Sequence, residues 1–246
     1  MTGALAAMTR HEAQLLVREP ALVAWGVAVP VLANLALNLI PGTRQPQEVL
    51  DGLSWSQLYA PTIALFTLSI VAVQLLPTTL GTYRQDGILR RLRTTPASAA
   101  VLLGAVCLVL SAVGLLVTAV IMATPALTGV GLPGNPVPFA LAAALALVAF
   151  VAIGALITAV APTARLAAGI GACVTPVLWF ASGMWVPIGA MPGWLARVCE
   201  LIPSGAAGRA MQLAMFDQWP SLGQLVVIAT WAVCCGVLAA RWFRWE

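Results

Sequence analysis

Lysine is absent from this chain of 246 residues: all 12 of its basic residues are arginine, and histidine occurs once. Without lysine, the standard phosphate loop of nucleotide hydrolases, whose lysine lies on the phosphates, has no counterpart here. Charge of either sign is scarce, at 8% of residues against roughly 25% in soluble domains. Runs of 24, 32, 71, 31 and 23 residues carry no charge at all. Cysteine is also sparse. Cys107, Cys173, Cys234 and Cys235 fall inside apolar runs and Cys199 stands alone outside them. No pair suggests a disulfide and no Cys/His spacing resembles a metal site, which leaves apolar packing as their role. A secretory leader is not expected either, because Arg10, His11, Glu12, Arg18 and Glu19 precede the first apolar run.

What remains is 61% hydrophobic, with a mean hydropathy of +0.97. A bilayer span needs about 20 apolar residues. Cutting the uncharged runs at their Pro/Gly clusters predicts six spans, over 20–40, 53–76, 97–124, 138–160, 166–186 and 221–240. The 71-residue run divides where Pro125, Gly129, Gly131, Pro133, Gly134, Pro136 and Pro138 crowd together, too many breakers for one helix. The expected fold is therefore an all-α polytopic membrane protein, a single membrane domain over 1–246. The short alternating segments of an outer-membrane barrel are absent.

The arginines follow topology, so the net charge of +4 does not point to nucleic acid. With an even number of spans and the N-terminus inside, inner segments hold Arg10, Arg18, Arg84, Arg90, Arg91, Arg93, Arg165, Arg241 and Arg244. The outer ones hold Arg44, Arg197 and Arg209. That bias places both termini in the cytoplasm of a multi-pass plasma-membrane protein.

Residues 3–18, within an N-terminal segment 1–19, read as an interfacial helix. Arg10, Gln14 and Arg18 share one face, with Leu5, Met8, Leu15 and Leu16 mostly opposite and Glu12 and Glu19 spoiling the apolar side. Pro61 and Pro77 predict a kink or partial unwinding in span two. Gly104, Ser111, Gly114 and Thr118 put small residues on span three. Ala161 to Arg165 form a tight inner turn. The stretch 186–220 is apolar yet full of breakers. It is expected to form short re-entrant helices in the outer leaflet between spans five and six, with Trp185 and Trp194 at headgroup depth. Arg241 to Glu246 read as an aromatic and basic anchor.

The segment Tyr83 to Pro96 gathers Arg84, Asp86, Arg90, Arg91 and Arg93 in a chain that otherwise avoids charge. Ile88, Leu89 and Leu92 give a short helix one apolar side. Physics alone leaves two readings open: a topological anchor, or a helix docking into a groove of a cytosolic partner. Arg84-x-Asp86-Gly87, Arg91-Leu92 and Thr95-Pro96 resemble the inner-loop signature of the ABC type-2 permease family. These are the membrane subunits of ATP-binding-cassette exporters. A second match runs through Phe180-x-Ser182-Gly183, Pro187, Met191-Pro192-x-Trp194-Leu195 and Ile202-Pro203. Order, spacing and span number extend the resemblance over essentially the whole chain, nearest to the daunorubicin-exporter type. One departure is Asp86, where the family more often has Glu.

The resemblance implies ATPase-coupling residues at Arg84, Asp86, Gly87, Arg90, Arg91, Leu92 and Arg93. It implies outer re-entrant or gate residues at Ser182, Gly183, Pro187, Pro192, Trp194 and Pro203. It further implies cytosolic ATPase subunits holding ATP and Mg, no cofactor in this chain, and a second permease chain as homodimer or heterodimer. The residues agree on one point: the spans carry no acid, so ion-coupled transport has nothing evident to run on. With so little charge, recognition falls to Asn34, Asn38, Thr67, Ser69, Gln74 and Thr118, any of which can instead bond helix to helix. A hydrophobic or amphipathic cargo (drug, antibiotic or lipid) suits that lining. Alternatives are a permease for lipid-linked glycan or haem, or a non-transporting subunit. An intramembrane enzyme is not expected, since Ser69, Ser111 and Ser182 have no base nearby in sequence.

Overall fold

The computed structural model describes residues 2–18, 23–45, 47, 54–88, 99–127 and 134–242. Among these there are helices and turns and no strand. Helix α1 (Thr2–Val17) is followed by a π-helical turn (Val23–Ala28) that leads into α2 (Val29–Leu39), and then by a single turn, α3 (Pro41–Arg44). The second span is continuous from Trp55 to Gln85, as α4 (Trp55–Ser69), a π-helical turn (Ile70–Leu75) and α5 (Leu76–Gln85). Helices α6 (Ala99–Leu127), α7 (Pro136–Val160) and α8 (Ala164–Ala181) come next. A 3-10 turn (Ile188–Ala190), α9 (Gly193–Glu200), α10 (Pro203–Met215) and α11 (Leu222–Trp242) complete the order.

Five of the helical segments are long and apolar enough to cross a membrane: Trp55–Gln85, Val101–Pro125, Pro136–Val160, Ala164–Ala181 and Leu222–Trp242. A shorter apolar helix, Ala24–Leu39, stands where the first span is expected. Large apolar side chains such as Leu32, Leu116, Val148, Leu222 and Val233 lie on the surface, which suits a hydrocarbon solvent. The protein is an all-α, multi-pass membrane protein.

Local chemistry sets most of the boundaries. Ser54 and Gln57 form a capping box at the start of α4, and Ser221 and Gln224 exchange the same pair of bonds at the start of α11. Asn135 and Thr163 cap α7 and α8. Pro136 and Pro138 occupy the first turn of α7, where a missing N–H costs nothing, so this span starts before the expected residue 138.

Span two departs most from expectation. It runs to Gln85 rather than 76, and the irregularity expected at Pro77 takes the form of a π-helical turn within a continuous helix, while Pro61 lies inside regular α-helix. Pro77 cannot donate to the carbonyl of Val73. The chain meets this with a π turn, in which the Leu76 N–H reaches back to Val71. The carbonyls of Ala72 and Val73 then face neighbouring helices at two glycines. A Cβ at Gly154 would overlap the Ala72 oxygen, and one at Gly171 would lie 2.8 Å from that of Val73.

Helix α7 lies at the centre of the core. Ala142, Ala146, Ala149 and Phe150 are fully buried, and the small side chains let α10, α11 and the π turn approach closely. Helix α10 is buried except at Arg209 and Leu213. Its end is stopped by Asp217 in the left-handed conformation (φ 60°), with Asp217 and Gln218 donating back to Ala214 and Leu213.

Candidate functional site

The two residue sets singled out in the sequence lie at opposite ends of α8, which is about 27 Å long at ~1.5 Å per residue. They are called here the Arg84 end and the Ser182 end.

At the Arg84 end, Leu76–Gln85 carries three consecutive attachments to the bundle. Gly81 lies against the first turn of α8, where a Cβ would come within 2.8 Å of the Ala164 backbone. Tyr83 donates its hydroxyl to Oε2 of Glu12 on α1 at 2.7 Å. Arg84 reaches the end of α7, with Nη1 donating to the Ala161 carbonyl at 3.0 Å and Nη2 to that of Thr158 at 3.2 Å. These are carbonyls of the kind a helix C-terminus leaves without a backbone donor, and a guanidinium there also meets the negative end of the helix dipole. Arg84 is thus part of a transmembrane helix, and the separate short helix expected to begin near Tyr83 is not where it lies. The break comes just after it. Asp86 caps the helix and is exposed; Gly87 follows at φ +69°, its N–H donating to the Arg84 carbonyl at 3.2 Å. Only glycine takes that conformation cheaply. Ile88 then packs on the cluster around Leu80 and Leu102. Arg90, Arg91, Leu92 and Arg93 lie outside the described residues.

Helix α1 keeps its expected polar face, with Arg10, His11, Gln14 and Arg18 exposed, and Glu12, expected to spoil the apolar side, is instead packed into it, only 8% exposed, between Met8 and Leu16. Leu5 and Leu15 remain at the surface. The Tyr83 hydroxyl accounts for the acid's burial there, since a buried carboxylate needs a donor.

At the Ser182 end, Ser182 and Gly183 terminate α8. Ser182 is buried, and its hydroxyl donates to the Trp179 carbonyl at 2.8 Å. Gly183 takes φ +85°, its N–H bonding to Phe180 while Met184 bonds to Trp179, a complete Schellman closure. The span therefore ends at Ala181 rather than 186. Pro187 and Pro192 precede the 3-10 turn and α9, accepting from Ala190 and from Leu195 and Ala196. Pro203 opens α10 from a buried position. Trp194 and Trp185 are exposed. Gly205 is pressed against the carbonyls of Cys199 and Ala181, and Gly208 against that of Ser182. The expected short helices are therefore α9 and α10, the second seated among the spans. Burial, then the adjacent Glu200 carboxylate, push the Cys199 thiol above its ordinary range. It donates to the Met191 sulfur at 3.8 Å.

Most of the polar residues considered for cargo are occupied within the bundle. Asn34 on α2 donates to the Ile121 carbonyl (3.0 Å) and to the Thr124 hydroxyl on α6, and Asn38 donates to the Asn34 carbonyl. Trp179 donates to Ser69 at 2.8 Å. Thr67 and Thr118 bond back to their own helices. Gln74 is half-buried beside Gly171. No local sequence pattern announces the clamp on α7 or the Glu12–Tyr83 pair, whose partners are more than 70 residues apart.

A sequence profile for the family described as ABC-2 type transporter matches residues 3–216. A comparison with curated proteins gave no match.

Proposed function

Since the chain belongs to the ABC-2 type transporter family, a family of membrane permease subunits that normally work with ATPase subunits, we propose that it is the transmembrane half of an ATP-driven exporter of a hydrophobic or amphipathic compound. In this reading a separate cytosolic ATPase grips the segment that begins at Asp86-Gly87, and a second permease chain completes the pathway. The Arg84 end faces the cytoplasm, where the arginine bias puts it.

The observation that carries this reading is the mounting of the Asp86-Gly87 turn. It projects from a helix end held to α8 through Gly81, to α7 through Arg84 and to α1 through Tyr83. A displacement of the docking segment is then delivered to several helices at once. A loosely hung basic loop would dissipate the same motion. The glycine-linked outer segment of α9 and α10 is the natural element to yield at the other end.

The test is reconstitution with the P-loop ATPase in proteoliposomes. Arg84→Ala and Asp86→Asn are expected to leave ATP hydrolysis running while ATP-dependent uptake of a fluorescent amphiphile falls about tenfold, an ordinary size for a coupling free energy. Uptake equal to wild type in both variants overturns the docking role. Uphill movement driven by the purified chain alone overturns the reading entirely.

A further inference from the structure

Beneath α1, at the Arg84 end, is a cavity of about 460 Å³ between α1, α5 and α6. Its size is within the range of roughly 300–1,000 Å³ typical of small-molecule sites. The lining mixes two chemistries. Leu15, Leu16, Leu75, Val106, Val109 and Leu110 are its apolar part. Its polar part is Glu12, Thr78, Thr79, Thr82 and Tyr83, together with Arg18.

Apart from the Arg18 guanidinium and the Thr79 hydroxyl, that polar part offers acceptors. Thr78 donates its hydroxyl proton to the carbonyls of Gln74 and Leu75, and Thr82 donates to that of Thr78. Both oxygens keep lone pairs for a ligand. The Tyr83 proton goes to Glu12. The Glu12 carboxylate, 8% exposed, has one oxygen held by Tyr83, while a carboxylate can accept about four bonds. None of the described basic residues forms an ion pair with it, although Arg18 stands exposed at the cavity's edge. A buried negative charge with one neutral donor is incompletely compensated, and a desolvated cation restores the balance.

We infer that this cavity is a binding site for an amphiphile with a protonated amine head, its ammonium on Glu12 and the threonine oxygens and its apolar body along Leu16, Leu75, Val109 and Leu110. An ammonium offers three donors to a wall of acceptors, whereas an alcohol offers one and no charge. The amine can belong to an aminophospholipid of the bilayer or to a free amphiphilic amine. The site is a property of this chain alone and does not depend on ATPase coupling.

The experiment measures binding to the purified full chain in maltoside detergent, using dodecylamine and dodecanol as probes. Wild type is expected to bind the amine saturably and about tenfold or more tighter than the alcohol, the discrimination that one charge-assisted contact gives. Glu12→Gln should abolish the preference while leaving dodecanol binding unchanged. Val109→Trp, which fills the cavity from the α6 side and leaves Glu12 and Tyr83 in the sequence, should weaken both probes. Both variants are compared with wild type by size-exclusion profile. Equal binding of amine and alcohol by wild type, or an amine preference surviving in a folded Glu12→Gln protein, overturns the inference. The source of the amine follows from nanodiscs of phosphatidylethanolamine against phosphatidylcholine, each with phosphatidylglycerol. Dodecylamine binding weakened only in the first identifies the lipid as occupant; equal binding in both identifies the free amine.

Discussion

Arg84 sits on the last turn of a transmembrane helix, and its guanidinium crosses to the carbonyls of Thr158 and Ala161 instead of turning to solvent. The side chain is planar, with donors at fixed angles, and can bridge two acceptors; a lysine supplies a single compact head. Arg84→Lys is therefore expected to couple less well than wild type, though better than Arg84→Ala, in the same ratio of transport to ATP hydrolysis. Asp217 offers a test of stability at the same scale. It holds φ 60° at the end of α10, where a Cβ is unfavourable by roughly 1–2 kcal/mol, less for Asp than for most residues. Asp217→Gly should raise the thermal unfolding midpoint of the purified protein modestly, and a lowered midpoint would show that the Asp side chain contributes a compensating contact.

Among the elements, span two is the one whose irregularity has a mechanical reason. Pro77 removes a backbone donor, the π turn absorbs the loss, and Gly154 and Gly171 leave room for the carbonyls it displaces. The three features make one joint between spans two, four and five. Gly154→Ala should then be among the most damaging single-carbon additions in the chain, costing about 2 kcal/mol or more because backbone, not a flexible side chain, must move. Gly42→Ala, where nothing lies within 4 Å of the added carbon, is the control and should be close to neutral. Thermal unfolding in detergent separates them, and a Gly154→Ala protein as stable as the control would refute this account of the joint. Helix α1 makes a parallel point, because its burial is centred on an acid that hydropathy alone would place outside.

For the whole molecule, the proposed orientation gives a direct accessibility experiment. In a variant lacking its native cysteines, Gln218→Cys at the Ser182 end should react with a membrane-impermeant maleimide in intact cells. Gln85→Cys at the Arg84 end should react only after permeabilisation; both positions are exposed. The reverse pattern would invert the topology and remove the docking segment from any cytosolic ATPase. The two ends also divide the work: the Arg84 end is tied across helices by side-chain bonds, while the Ser182 end is shaped by helix terminators and glycine contacts.

Membrane residence, the approximate spans and the arginine asymmetry were legible in the chain because transfer into hydrocarbon accumulates along a continuous stretch, independent of what lies beside it. The family resemblance was legible for a related reason: Ser182-Gly183 and Asp86-Gly87 are local helix terminators, and local geometry leaves local patterns. The capping boxes at Ser54 and Ser221 carry the same kind of local signal. Tertiary structure alone decided that Glu12 is buried, that Arg84 clamps α7, and that the carbonyls of a π turn rest on Gly154 and Gly171. The residues concerned are far apart in the chain, 71 positions for Tyr83 and Glu12, and 74 and 77 for the two Arg84 bonds. Side chains that distant are brought together only by helix packing, whose geometry depends on every contact in the bundle at once.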